Sequence, residues 1–392
     1  MRSLLLCSRA PWPLHGGDRI RTWHLARALA DLGEVDVVAA LGPDEDPDAV
    51  RAALPFVRRL HLPVLARGGA ALRALGALPG DRPLQQALYD SPALRSAVQQ
   101  ALGERPDVVL AHLLRTVPWL PRDTPPLVVD VQDALSQQYA SAAGRGHGWR
   151  RLAMTLERRR LAPAEAACVD RADATTFISA RDARAVLPSP PGRWAVLPAV
   201  VDPQAFGPGP ERPDPDVIGF VGQLRTAANR DMLEHFVRRV FPLVRSARRD
   251  VQLHIVGRGA DRAIRRLART PGVVLVGAVD DVAPTLRRCW LTICPQRFGS
   301  GVQNKVLQSL AVGTPAVITP VVAEALGPVE GVQVGGLDRS FAMRTVELLG
   351  DPDERGRLSR AGQAFIARQH HPSALTAALS DLLAALGASP PG

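Results

Sequence analysis

Short continuous apolar runs alternate along this chain with stretches whose apolar residues recur every three or four positions. Residues 3–7, 35–40, 60–65, 108–112, 127–131, 175–179 and 194–200 read as strands, and 18–32, 84–102 and 150–171 read as helices between them. The strand runs are apolar at consecutive positions, so both faces are covered. That is the mark of a parallel sheet with helical crossovers. Residues 203–215 interrupt the pattern with a Pro- and Gly-rich stretch that cannot hold a helix and reads as a linker. The alternation then restarts, with strands predicted at 217–221, 252–256, 273–276, 290–294, 316–319 and 332–334. Helices are predicted at 229–247, 260–269, 282–289, 302–312 and 340–368, and a last amphipathic one at 373–386. The fold class is therefore α/β, with two doubly wound, Rossmann-like domains facing across a cleft. The boundaries fall at 1–202, 203–215 for the linker, 216–370 and 371–392. Ligands of such sheets sit beyond the carboxyl ends of the strands.

A chain of 392 residues fits two domains and buries enough apolar surface to need no disulfides. Its four cysteines form no C-x-x-C pair, which excludes a zinc ribbon or thioredoxin motif and favours a reducing, cytoplasmic setting. No apolar run approaches the ~18 residues of a spanning helix, and the apolar start is cut short by Arg9. The net charge of +10 points to phosphate-bearing partners. Aromatic residues make up only 4% of the chain, and no zinc-finger, RNA-recognition or helix-turn-helix signature is present, so nucleic acid is excluded as a partner. Of 48 basic residues a single one is lysine, Lys305, and the only asparagines are Asn229 and Asn304. In a chain that uses arginine for every generic cation, a lone lysine marks a place for a compact point charge.

Lys305 lies in the most informative segment, Phe298-Gly-Ser-Gly-Val-Gln-Asn-Lys, directly after a predicted strand. Gly299 and Gly301 permit a tight turn, and Ser300 is placed to cap the following helix. At 100° per residue, Val302, Val306, Leu307 and Leu310 form one face of that helix; Asn304, Lys305, Gln308 and Ser309 form the other. A helix start with free amides beside an ammonium reads as a cradle for a diphosphate. Gly16 and Gly17 open an earlier helix after the first strand, with Arg19 in its first turn. Gly222, Arg225 and Asn229 follow the first strand of the second half. There Arg225 reaches for a phosphate, and Asn229 serves either the ligand or the helix cap. Gly257 belongs to a Gly-Arg-Gly that lacks the third glycine of a dinucleotide fingerprint, which argues against a dehydrogenase. Asp130 and Asp133 end a strand of the first half, where they either orient an acceptor hydroxyl or cap the loop. The histidines are scattered and the D-x-D strings lie in Pro-flanked loops, so no metal site is expected.

Taken together these segments resemble the GT-B glycosyltransferases, and within them glycosyltransferase family 4 (group 1). Gly-Asp-Arg-Ile-Arg at 17–21 and Gly-Val-Gln-Asn-Lys-Val-Leu at 301–307 are most similar to bacterial sugar transferases of exopolysaccharide gene clusters. The resemblance covers nearly the whole chain and implies a metal-independent, cofactor-free, retaining transfer from a nucleotide-diphosphate-sugar donor to a sugar or lipid-linked acceptor. It implies donor binding by the second half and a final helix that crosses back onto the first domain. By position Lys305 matches the lysine that binds the donor diphosphate, Gly16 and Gly17 the loop near it, and Val279 the backbone that meets the base. Gln308 stands where many relatives carry a glutamate that holds the ribose, and Ser300 where the wider family has the first glutamate of a pair. Ala199-Val200 replace a common Asn-Gly. On this reading Lys305 and Arg225 neutralise the leaving diphosphate and Asp133 orients the acceptor. Two other readings are a degenerate nucleotide-sugar binder or partner subunit, raised by Gln308, and a GT-B epimerase or hydrolase. The basic, leucine-bearing stretch 149–160 is a candidate for peripheral contact with an anionic inner-membrane face.

Overall fold

The computed structural model describes residues 1–14, 16–144, 148–186, 193–299 and 301–388. The chain forms two compact units, one of residues 1–200 with the segment from Pro372 onward, the other Val201–His371. The first contains seven strands: β1 (Arg2–Cys7), β2 (Glu34–Ala39), β3 (Arg59–His61), β4 (Val108–His112), β5 (Leu127–Gln132), β6 (Ala174–Phe177) and β7 (Arg193–Val196). They pair in parallel in the order β3-β2-β1-β4-β5-β6-β7. The second contains β8 (Val217–Val221), β9 (Gln252–Val256), β10 (Val273–Gly277), β11 (Leu291–Cys294), β12 (Ala316–Ile318) and β13 (Val332–Val334). Their parallel order is β10-β9-β8-β11-β12-β13. In each sheet the chain winds one way and then the other. The switch points fall between β1 and β4 and between β8 and β11, and the loops after those strands are where such sheets bind ligands.

Consecutive apolar residues on β1 serve opposite faces. Leu5 and Cys7 join a core with Leu25 and Leu29 of the helix Gly17–Leu32. Leu4 and Leu6 join one with Leu94 and Val98 of the helix Pro92–Leu102. The last described helix, Pro372–Ala385, lies in the first unit, where Leu375, Leu379 and Leu383 pack into the same core as Leu25. In the second unit Phe236 meets Phe241 and Phe341, both at ring-centroid distances of 6.0 Å.

Three predicted helices are interrupted where proline or a cap forces it. The stretch 84–102 is two helices, Leu84–Tyr89 and Pro92–Leu102, because Pro92 must start a helix rather than continue one. Asp351 likewise ends Arg339–Gly350 and starts Pro352–Gln369, its carboxylate accepting from Glu354 N at 2.8 Å. The stretch 229–247 starts at Ala227 and contains a widened turn, Phe236–Val240, before Pro242. The helix Arg67–Gly76 has no counterpart among the predicted elements. The Pro-rich segment 203–215 is anchored to the second unit: Arg287 pairs with Glu211 and donates to Gly207 O at 2.9 Å, and Asp214 N donates to Arg288 O.

Leu379 is fully buried, so Leu379→Ala leaves a cavity that costs about 2–5 kcal/mol. Urea unfolding followed in the first unit, for example through Trp23, should show that loss.

Candidate active site

At the switch point of the second sheet three strand ends are stitched together. Gly222 N donates to Val256 O at 3.0 Å, Gly257 N to Gly277 O at 2.7 Å, and Leu224 N to Arg258 O at 2.9 Å. The approach is close enough to demand glycine. A Cβ on Gly257, whose φ is +148°, would stand 1.8 Å from Gly222 O. A Cβ on Gly222 would stand 2.7 Å from Asn229 Nδ2. The space these glycines leave is filled by Asn229. Its Nδ2 donates to Gln223 O at 2.9 Å, and its Oδ1 accepts from Lys305 Nζ at 2.5 Å. The cap of this helix is Thr226, whose hydroxyl accepts from Asn229 N at 3.3 Å. Asn229 is therefore not the helix cap; its amide oxygen meets Lys305 instead, a contact the sequence reading did not foresee.

Lys305 sits in the first turn of the helix Asn304–Ala311, after β11. Its ammonium lies 4.4 Å from the centroid of the Phe220 ring. Burial pulls its pKa below the ordinary lysine value. Among the described residues no carboxylate pairs with it. Such an ammonium, held by one amide oxygen and a ring face, is a site for an anion. The helix begins later than the pattern 302–312 predicts, and its N-cap is Gln303, without a side-chain cap. Ser300 lies outside the described residues. Val306, Leu307 and Leu310 are buried as expected, while Asn304 and Gln308 stay half-buried on the lysine side. Ser309 departs from the predicted polar face. It is fully buried, 2.6 Å from Thr292 Oγ1, and donates to Thr314 O at 2.8 Å.

Gly299 and Gly301 turn the loop into this helix, and Gln296 steadies it by donating to Phe298 O at 2.8 Å. Arg297 in the same loop makes a two-nitrogen ion pair with Asp231. Arg225 is exposed in the loop after β8 and makes no ion pair among the described residues. Val279 is half-buried in the loop after the edge strand β10.

In the first unit Gly16 is the N-cap and Gly17 the first residue of Gly17–Leu32, again without a side-chain cap. Arg19 does not serve this helix start. It is turned inward, its Nη1 donating to Trp12 O at 2.6 Å and its Nη2 pairing with Glu45. Arg19 thus commits one N–H of each terminal nitrogen to these partners, while its Nε is buried with no partner among the described residues. Asp130 is equally committed to structure. Fully buried, it accepts from Arg21 Nε (2.7 Å) and Nη2 (2.6 Å), from Thr176 Oγ1 (2.7 Å), and lies 2.7 Å from His112 Nδ1. These partners hold its carboxyl well below the usual carboxylate range.

Asp133, three residues on, is the opposite case. It follows Gln132, whose φ is +63° and whose Nε2 donates to Asp133 Oδ2 at 3.2 Å. Its Oδ1 is enclosed and has no partner among the described residues. Desolvation, then the neighbouring Asp182 charge, push its pKa up to about 7 against the opposing pull of Arg21. Asp182 is itself held by Ser179, whose Oγ donates to it at 2.5 Å. A strand-end carboxylate poised near neutrality suits hydroxyl recognition. Sequence reasoning missed Asp182, because nothing in its local pattern sets it apart.

These two strand-end sites match a known architecture. Residues 16–200 match the family described as glycosyl transferase 4-like domain, and residues 215–351 match glycosyl transferases group 1. No curated protein sequence matches the chain. Among solved structures, sucrose-phosphate synthase from Thermosynechococcus elongatus is similar with a TM-score of 0.72 at 17% identity, over 99% of this chain and 100% of that one. Anabaena HepE in complex with UDP and glucose is similar at 0.64 and 14%, over 98% and 100%. WaaG, a glycosyltransferase involved in lipopolysaccharide biosynthesis, is similar at 0.64 and 15%, over 97% and 99%. The chain is thus a two-domain enzyme of the GT-B class, a glycosyltransferase. It belongs to the group 1, family 4 glycosyltransferases.

The raised Asp133 pKa has a stability consequence. The folded state holds this proton more tightly than the unfolded chain, so stability falls as pH rises from about 4 to about 7. Asp133→Asn should therefore be more stable than wild type above pH 7, by on the order of 2–4 kcal/mol, with the gain gone near pH 4. Thermal unfolding at several pH values checks both the sign and the window.

Proposed function

We propose that the enzyme transfers a sugar from a nucleoside-diphosphate donor to an acceptor hydroxyl with retention at the anomeric carbon and without a metal ion. The observation that carries this reading is Lys305: a half-buried lysine, no carboxylate paired with it among the described residues, at the mouth of a helix beside stitched glycine loops. The family match and the UDP held by Anabaena HepE support a nucleotide sugar as the anion's source. In the step, the bond from the anomeric carbon to the diphosphate oxygen breaks and a bond to the acceptor oxygen forms on the same face. The acceptor proton passes to the departing diphosphate, whose charge Lys305, the first amides of its helix and Arg225 stabilise. Asn229 holds Lys305 in place. Gln308 offers one amide oxygen to a ribose hydroxyl and its NH2 to a ribose oxygen, a weaker grip than a carboxylate gives. Val279 meets the base through its backbone, and Asp133 orients the acceptor hydroxyl.

Part of the first unit suits a membrane-borne acceptor. The helix Gly148–Arg171 exposes Leu152 and Leu156 among Arg151, Arg158 and Arg159. The helix Arg67–Gly76 exposes Leu72 and Leu75, and Leu78 just beyond is also exposed. Arg160 joins the two by donating to Leu78 O at 2.5 Å. No described helix is long and apolar enough to cross a membrane. The leucines suit insertion into an interface and the arginines suit anionic headgroups.

Lys305→Ala should lose about 100–1000-fold in turnover, with circular dichroism and melting close to wild type. Near wild-type turnover would overturn the assignment. In flotation, the protein should rise with phosphatidylglycerol vesicles and not with pure phosphatidylcholine. Binding should weaken with salt and with Leu72→Ser and Leu152→Ser together; indifference to both would count against the patch.

A further inference from the structure

The switch point of the first sheet carries a pair of guanidiniums to which the reaction proposed above gives no role. Arg115 follows β4, with only 15% of its side chain exposed. Its Nε donates to Ser8 Oγ at 2.7 Å, and the guanidinium carbon lies 4.7 Å from the centroid of the Tyr89 ring. Its two terminal nitrogens donate no hydrogen bond among the described residues. The carboxylate paired with it is Asp18, whose Oδ2 is 3.7 Å from Nη2. Arg9, in the loop after β1, donates to that same oxygen at 3.2 Å. Two guanidiniums thus share one carboxylate, and the terminal nitrogens of the more buried one have no closer partner than that 3.7 Å ion pair. Burial and the Arg9 charge both act against the charged form of Arg115.

A largely buried guanidinium whose terminal nitrogens donate no hydrogen bond to the protein is open to an anion, and its geometry matches phosphate oxygens. The uncapped start of Gly17–Leu32 carries Asp18 in its first turn and adds donors to the same corner. We propose that Arg9 and Arg115 bind a phosphate group carried by the acceptor. The acceptor is then a phosphorylated sugar or a sugar on a lipid phosphate. This rests on the glycosyltransferase reading above. The placement fits such a molecule: Arg115 follows β4 and Asp133 follows β5, neighbouring strands about 4.8 Å apart.

The test is a calorimetric titration of the full chain with inorganic phosphate, alone and in the presence of a saturating nucleoside diphosphate. Phosphate should bind in both cases. Arg115→Met should weaken it by about tenfold or more, and Arg9→Gln, at a half-exposed position that tolerates change, by several-fold. With the saturating nucleoside diphosphate present, which fills the Lys305 site, both arginine variants should show the same weakening. Glucose 6-phosphate and farnesyl diphosphate, used as probes, separate the two carriers, the true one binding more tightly than phosphate itself. The proposal is overturned if wild type takes up no phosphate, if both arginine variants bind it as wild type does, or if the nucleoside diphosphate displaces it. Failure of the donor reading would appear separately, as absence of nucleoside-diphosphate binding in a protein that still binds phosphate.

Discussion

The first unit depends on one carboxylate. Asp130 sits at the end of a central strand with no exposure, and its partners come from different elements: Arg21 from the helix after β1, His112 from β4 and Thr176 from β6. Arg21 carries the tie further by donating to Leu197 O beyond β7. A buried ion pair of this kind contributes little net stability against an apolar replacement, yet losing one partner strands the other charge. What it supplies is position. It sets the helix Gly17–Leu32 against the carboxyl ends of β4 to β6, and so sets where Gly16, Gly17 and Asp133 stand. Because Asp130 consumes the cationic partners, Asp133 is left with an empty acceptor oxygen and a pKa near neutrality.

The second unit solves the matching problem with backbone instead of charge. Gly222 and Gly257 allow two strand ends to touch, and the gap over Gly222 admits Asn229. Asn229 is what meets the lysine, so the ammonium is oriented by a neutral amide rather than neutralised by a carboxylate. A carboxylate in that place would have cancelled the charge an anionic ligand requires. One unit therefore spends its ionic partners on architecture and frees a carboxylate, while the other spends glycines and frees a cation.

Much of this was legible in the sequence, for identifiable reasons. Parallel strands buried on both faces leave unbroken apolar runs, and every strand of both sheets has its predicted counterpart within a few residues. Lys305 stood out because it is the only lysine in an arginine-rich chain. The same composition hid Arg115, which has no local mark among so many arginines, and made Arg19 look available when it is engaged by Trp12 and Glu45. Helical periodicity placed Ser309 beside Lys305, but a helix face shows only direction, and Thr292 draws that hydroxyl into the core. Breaks at Pro92 and Pro352 escaped notice because the apolar period continues across them.

The location of the helix Pro372–Ala385 has a consequence for how the protein is made. Its leucines complete the core beneath β1, yet it is synthesised after the whole of the second unit. Domains usually fold in the order in which they leave the ribosome. Here the second unit is the one that can finish first. The first must wait with an apolar groove along Leu25 and Leu29 uncovered until residues made much later arrive, so its nascent form is an obvious client for chaperones.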